Sequence, residues 1–85
     1  MNQQVQKRVL QVIAKVLILP PENIQITQPL HEICDDSLDM VNLVFTLEEE
    51  FNLDIADKAK EAKTVYDIIV IIDTLMQQAT EHSAV

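Results

Sequence analysis

The sequence contains no glycine and no tryptophan, one tyrosine, two phenylalanines and one cysteine, and each shortage removes a class of structure. Without glycine, tight turns that need positive φ must be made by Asn or Asp or avoided, which favours helices joined by loops over β-hairpins. The lone Cys34 excludes an internal disulfide and fits a reducing compartment. Basic residues are also scarce, 6 against 14 acidic ones, for a net charge of −8 at pH 7. That balance argues against nucleic acid, whose phosphates need Lys and Arg, and against anionic membrane surfaces; it favours basic protein partners. No apolar run approaches the roughly 18 residues of a membrane span, so membrane insertion is not expected. Met1 to Gln6 has neither a signal-peptide apolar region nor an Arg-rich transit pattern, and the expectation is an intact cytoplasmic chain acting as a monomer.

What is there is aliphatic and helical. The 85 residues, 48% of them hydrophobic, suit a single domain over residues 1–85 with one modest core and hardly room for an enclosed catalytic cleft. Val5, Val9, Val12, Ile13, Val16 and Leu17 recur at helical intervals and predict a first helix over about residues 3 to 17, closed by Pro20 and Pro21. A long loop follows, with Ile18, Leu19, Ile24, Ile26, Leu30 and Ile33 as inward anchors; a loop of this length is more often functional than idle. Asp36 reads as an N-cap with Asp39 three residues on, so a second helix should run from Ser37 to about Phe51 and stop at Asn52, which tolerates the left-handed region. Residues 57 to 62 suit one short helical turn with Ala59 and Ala62 inward. Thr64 with Asp67 repeats the capping pattern before a last helix that carries Val65, Ile68, Ile69, Ile72, Leu75, Met76 and Ala79 on one stripe and should end near Gln78.

Charge is unevenly spread. From Val16 to Asp57 there is no Lys or Arg, while the acidic residues include Asp36, Asp39, Glu48, Glu49 and Glu50; the basic residues sit in the first helix and at Lys58, Lys60 and Lys63. A charge run alone is commonly a solvated face. The second helix, however, carries two apolar strips. At about 100° per residue, Met40, Leu43, Val44, Leu47 and Phe51 form a core stripe, and Leu38, Val41 and Phe45 form another beside it. A helix in a small bundle needs only the first. An extra apolar strip beside an acidic one suits a partner with a basic rim and an apolar pocket.

Ser37 is the residue to explain. A serine nucleophile needs a positioned base and an oxyanion hole; His31 is the nearby candidate, nothing in the sequence fixes it against Ser37, and it reads as an exposed loop residue, while His82 lies in the tail. Glycosidase chemistry from Asp35, Asp36 and Asp39 lacks an aromatic sugar platform. Calcium is the better challenger, because Asp35, Ser37 and Asp39 imitate the first ligands of an EF-hand loop, but Met40 stands where that loop needs Gly and Thr46 where it needs a bidentate Glu. No metal site is expected. Acidic neighbours raise the pKa of a thiol, so Cys34 reads as structural. A helix N-terminus does suit an anionic phosphodiester, since its free N–H groups and dipole favour negative charge.

The segment Asp36-Ser37-Leu38-Asp39-Met40-Val41-Asn42-Leu43-Val44-Phe45-Thr46-Leu47-Glu48-Glu49-Glu50-Phe51 closely resembles the acyl carrier proteins of dissociated fatty acid synthesis. With the helices before and after it, the resemblance covers most of the chain. It implies an all-α, four-helix bundle of three longer helices and one short, with no catalysis of its own. It further implies that a phosphopantetheinyl transferase moves 4′-phosphopantetheine from coenzyme A onto Ser37, whose arm then carries acyl groups as thioesters to acyltransferase, ketosynthase, reductase and dehydratase-type enzymes. Asp36, Leu38, Asp39, Val41, Phe45, Glu48 and Glu49 match the family's partner-binding positions. An aliphatic core in which Leu43 and Leu47 face Ile68, Ile69 and Ile72 suits an alkyl chain sheltered between helices, as the resemblance also implies.

The chain departs from the family at Cys34, where Gly is usual, at Asn42, where an acidic residue is common, and in a lysine-rich third element. These departures keep open a specialised carrier, such as a polyketide or D-alanyl carrier. An unmodified acidic interaction module is the alternative of a different class.

Overall fold

The computed structural model describes residues 3–34 and 36–83, with side chains described through residue 78. Three long helices carry the fold: α1 over Gln3–Leu17, α3 over Ser37–Phe51 and α5 over Val65–Ser83. Two one-turn helices lie between them, α2 over Leu30–Ile33 and α4 over Ala56–Ala59, and a 3₁₀ turn covers Pro21–Asn23. There is no strand among the described residues, only an isolated antiparallel bridge between Pro29 and Thr64. The all-α class is as expected, and the short helical turn after α3 is present. The second short helix, α2, is an addition to the expected four.

Helix α1 packs against α3 and α5. It buries Val5, Val9, Val12, Ile13 and Ala14, so that its apolar stripe becomes one wall of the core. The opposite wall comes from Leu43, Leu47 and Phe51 of α3, and Val65, Ile68, Ile69 and Ile72 of α5 complete it. Arg8 fastens the α1–α3 seam from outside: its guanidinium lies 4.4 Å from the centroid of the Phe51 ring and donates to the Glu50 carbonyl at 3.0 Å. Among the described residues no helix is long and apolar enough to cross a membrane.

The end of α1 corrects one expectation. Ile18 and Leu19 are 89% and 37% exposed rather than inward. Ile18 takes φ 57°, and the N–H of Leu19 reaches back to the carbonyl of Ala14 at 2.9 Å, which is the Schellman closure of a helix. That closure needs a left-handed residue, and in a chain without glycine it falls on a β-branched one whose side chain is thereby turned out to solvent. Further along the same loop, Ile24 and Leu30 are buried as anchors.

Long-range backbone pairing shapes the rest of that loop. Leu30 N–H donates to the Lys63 carbonyl at 2.8 Å, Val65 N–H to Gln28 at 3.2 Å and Tyr66 N–H to Ile26 at 2.7 Å. These bonds stitch the loop to the start of α5 and hold α2 against the α4 side of the molecule. Helix α5 starts on a closed capping box: Asp67 N–H donates to Thr64 Oγ1 at 3.2 Å, and Asp67 Oδ2 accepts the Thr64 N–H at 3.2 Å. It continues past the expected end near Gln78 to Ser83, because neither Gly nor Pro follows to stop it; the side chain of Ala79 lies outside the described residues.

Candidate functional site

Ser37 is the first residue of α3 and is exposed. Asp36 before it is extended, at φ −101° and ψ 135°, and its carboxylate accepts the Leu38 N–H at 3.0 Å, so the cap is made by the neighbour and not by the serine. Among the described residues no hydrogen bond holds the Ser37 hydroxyl, and none joins it to His31. The chain therefore presents an accessible hydroxyl with no base against it among the described residues. Asp35, the first residue of the calcium alternative, lies outside the described residues.

The outer strip of α3 is exposed along its length, with Leu38 at 67%, Val41 at 47% and Phe45 at 60%. Asn42 and Glu49 are exposed beside it, and Asp39 is half-buried. Three large apolar side chains in a row on a small domain form a patch that a monomer's own packing does not require. Glu48 differs from its acidic neighbours. Its Oε2 accepts the N–H groups of Ile55 at 3.0 Å and Ala56 at 3.3 Å, and since the N-cap position Ile55 offers no side-chain cap, Glu48 satisfies the start of α4 in its place.

Between α3 and the two short helices lies an open groove of about 630 Å³. Helix α3 contributes Met40, Val41, Val44, Phe45 and Glu48 to one side. The other side is Leu30, His31 and Cys34 from the α2 end and Ala56, Ala59, Lys60, Ala62 and Lys63 from α4 and the segment after it. The groove is mostly apolar, and it runs along α3 for roughly the 1.5 Å per residue of helical rise over the two turns from Met40 to Glu48. Cys34 is buried at this wall.

The five aliphatic residues read as an alkyl pocket sit elsewhere. Leu43, Leu47, Ile68, Ile69 and Ile72 are each no more than 1% exposed and pack together in the core, and none lines the groove. The reason is angular: Leu43 and Leu47 stand one position, about 100°, from Val44 and Glu48 around α3, so one stripe faces α1 and α5 while the other faces α2 and α4. The groove wall from α2 escaped the sequence reading, although Leu30, Ile33 and Cys34 have helical spacing that would have signalled it.

Comparison with known proteins agrees with this geometry. The family described as the phosphopantetheine attachment site matches over residues 7–69, which span α1 to the first turn of α5. An acyl carrier protein of Cylindrotheca sp. (strain N1) is 34% identical over 74 residues, covering 85% of this chain and 92% of that protein. One of Wolinella succinogenes is 36% identical over 66 residues, covering 75% and 87%. One of Chlamydia caviae is 48% identical over 40 residues, covering 46% and 52%.

Proposed function

As the chain belongs to the phosphopantetheine attachment-site family and is an acyl carrier, not an enzyme, we propose that Ser37 is the residue that bears its 4′-phosphopantetheine. The observation that carries this reading is the exposed, unheld hydroxyl of Ser37 at the first position of α3. The residues fit the group. The hydroxyl is exposed, the helix start favours a phosphodiester, and the apolar groove beside α3 lies within the 300–1,000 Å³ range of small-molecule sites. When bound, the arm supplies a terminal thiol that holds the acyl group as a thioester.

The remaining roles belong to the chain's own side chains. Asp36 holds the start of α3 through Leu38 N–H and so keeps Ser37 pointing outward at a fixed place. With no base against Ser37 among the described residues, its proton passes to a base of the transferase as the oxygen bonds the phosphorus of phosphopantetheine and the pyrophosphate bond of coenzyme A breaks, releasing adenosine 3′,5′-bisphosphate. Leu38, Val41 and Phe45 form the apolar contact for enzymes with basic surfaces, and Asp36, Asp39, Glu48 and Glu49 steer them. Glu49 is the freer of the last pair, because Glu48 is engaged at α4. Met40, Val44 and Ala59 in the groove shelter the acyl chain, with Leu43, Leu47, Ile68, Ile69 and Ile72 behind them as the core into which a longer chain would press. Fatty acid synthesis or a related lipid or polyketide pathway in the cytoplasm supplies the clients, and the chain meets them as a monomer.

Intact mass after incubation with a phosphopantetheinyl transferase and coenzyme A tests the assignment. Wild type should gain one phosphopantetheine, with Ser37 as the modified residue in the peptide map; modification at another residue, or none, overturns it. The surface is tested by kinetics: Glu49→Lys should slow loading through the on-rate in a salt-sensitive way, and Phe45→Ala should raise the off-rate. Unchanged kinetics for both variants would remove the strip from the docking surface.

A further inference from the structure

In a chain of net charge −8, two lysines stand on the wall of this apolar groove. Lys60 and Lys63 line it beside His31, and among the described residues Glu48 is its acidic lining residue. The Glu48 carboxylate is turned to the N–H groups of Ile55 and Ala56. Lys60 has one ion pair, to Asp57 at 3.8 Å, with both side chains nearly free in solvent at 79% and 100% exposure, and such pairs contribute little. No salt bridge holds the Lys63 ammonium among the described residues. Its charge acts on Asp67, whose carboxylate already accepts the N–H groups of Lys63 and Thr64. The lining thus combines an apolar floor with two ammonium groups, one in an exposed surface pair and one without a salt bridge among the described residues, and in a mostly apolar pocket the few polar groups set which ligand is preferred.

We infer that the groove selects acyl chains that end in a carboxylate. This rests on the reading of Ser37 as the attachment site and names the cargo class of that same site. The methylenes lie against Met40, Val44 and Ala59, and the distal carboxylate meets Lys60 and Lys63 at the rim, where it keeps part of its hydration and avoids the cost of a fully buried charge. A chain ending in a methyl group gains the same apolar contact but brings no anion to either ammonium group.

The test uses the full chain loaded at Ser37 by a transferase from octanoyl-coenzyme A or octanedioyl-coenzyme A, with melting temperatures read at low salt for both forms and for the arm without an acyl group. The octanedioyl form should melt above the octanoyl form by roughly 2–5 °C, the scale of a partly exposed ion pair in a domain of this size. Lys60→Gln with Lys63→Gln should erase that difference, whereas Lys58→Gln, outside the groove lining, should keep it. An octanoyl form that melts as high as the octanedioyl form, or a difference that survives the double substitution, overturns the inference. A double substitution that lowers the unacylated arm form by the same amount as the octanedioyl form also overturns it, since the lysines would then serve the arm's phosphate. A protein that gains no mass at Ser37 overturns the attachment reading together with this one, so the two failures are told apart by mass.

Discussion

Helices α3 and α5 begin on the same local pattern, a capping residue followed three positions later by aspartate, yet the two starts are built differently. At α5 the box is closed: Thr64 and Asp67 exchange hydrogen bonds at 3.2 Å, and Asp67 also takes the Lys63 N–H at 3.0 Å. At α3 only the forward bond forms, from Leu38 N–H to Asp36, and no hydrogen bond of Asp39 returns to the Asp36 backbone among the described residues. The difference follows from the cap itself. Thr64 is neutral and lets the Asp67 carboxylate approach; Asp36 is an anion, and a second carboxylate converging on the same helix end is repelled. A closed box consumes its hydroxyl for structure. At α3 the cap is a carboxylate, and the next residue, Ser37, is exposed.

The largest effect that separates the two starts is all-or-none. Ser37→Ala should abolish modification by a transferase while shifting the melting temperature by less than about 2 °C, because the side chain makes no structural bond. Thr64→Ala should do the reverse. Loss of a cap costs about 1 kcal/mol, or roughly 4–8 °C in a domain of this size, with modification intact. Intact mass and thermal melts on the two variants decide it, and a Ser37→Ala protein that melts far lower would make Ser37 a structural residue after all.

Much of this contrast was legible in the sequence because caps are local. Asp36, Asn52, Thr64 and Asp67 announce their helix ends within four residues, and the stripes of α1 and α5 set the core. What was not legible depends on residues far apart. Helix α2 is placed by the Leu30 N–H bonding the Lys63 carbonyl, a partner that lies outside any window around Leu30 even though the spacing of Leu30, Ile33 and Cys34 is helical. The periodicity of α3 alone put Met40 and Val44 on one stripe with Leu43 and Leu47, whereas Met40 and Val44 line the groove and Leu43 and Leu47 lie in the core. Ile18 failed for another reason: the usual mark of a left-handed helix end is glycine, and this chain has none to mark it with.

Removing the reciprocal aspartate should reveal the next largest difference. Asp67→Ala deletes the acceptor for two backbone N–H groups and should lower the melting temperature by roughly 4–8 °C, whereas Asp39→Ala deletes no bond of the α3 start and should cost less than half of that. Equal losses would mean that both boxes are closed in solution. The comparison can also be broken by construction. Asp36→Thr gives α3 the neutral cap of α5, so Asp39 should swing in and complete the box, raising the melting temperature by about 2–4 °C. A lower melting temperature would show that repulsion between Asp36 and Asp39 is not what keeps the box open.

The smallest effect is in acid, and it isolates the carboxylate of Asp67. The Lys63 N–H above all, and then the Thr64 N–H and hydroxyl, hold its pKa below the usual 3.8, against a desolvation that acts the other way. An aspartate in the unfolded chain titrates near 3.9. With the folded value depressed, the stability this group contributes is fully present above the unfolded pKa and is lost as pH falls through the folded one. Asp67→Asn keeps an oxygen that can accept an N–H but cannot ionise. The gap in melting temperature between wild type and Asp67→Asn should therefore be constant from about pH 5 to pH 7 and close below the unfolded pKa of about 3.9. Using the gap cancels the protonation of every other carboxylate, which both proteins share. Measured from pH 2.5 to 7 at fixed ionic strength, a gap that stays constant or widens into acid would place the charge that steadies α5 on some other residue.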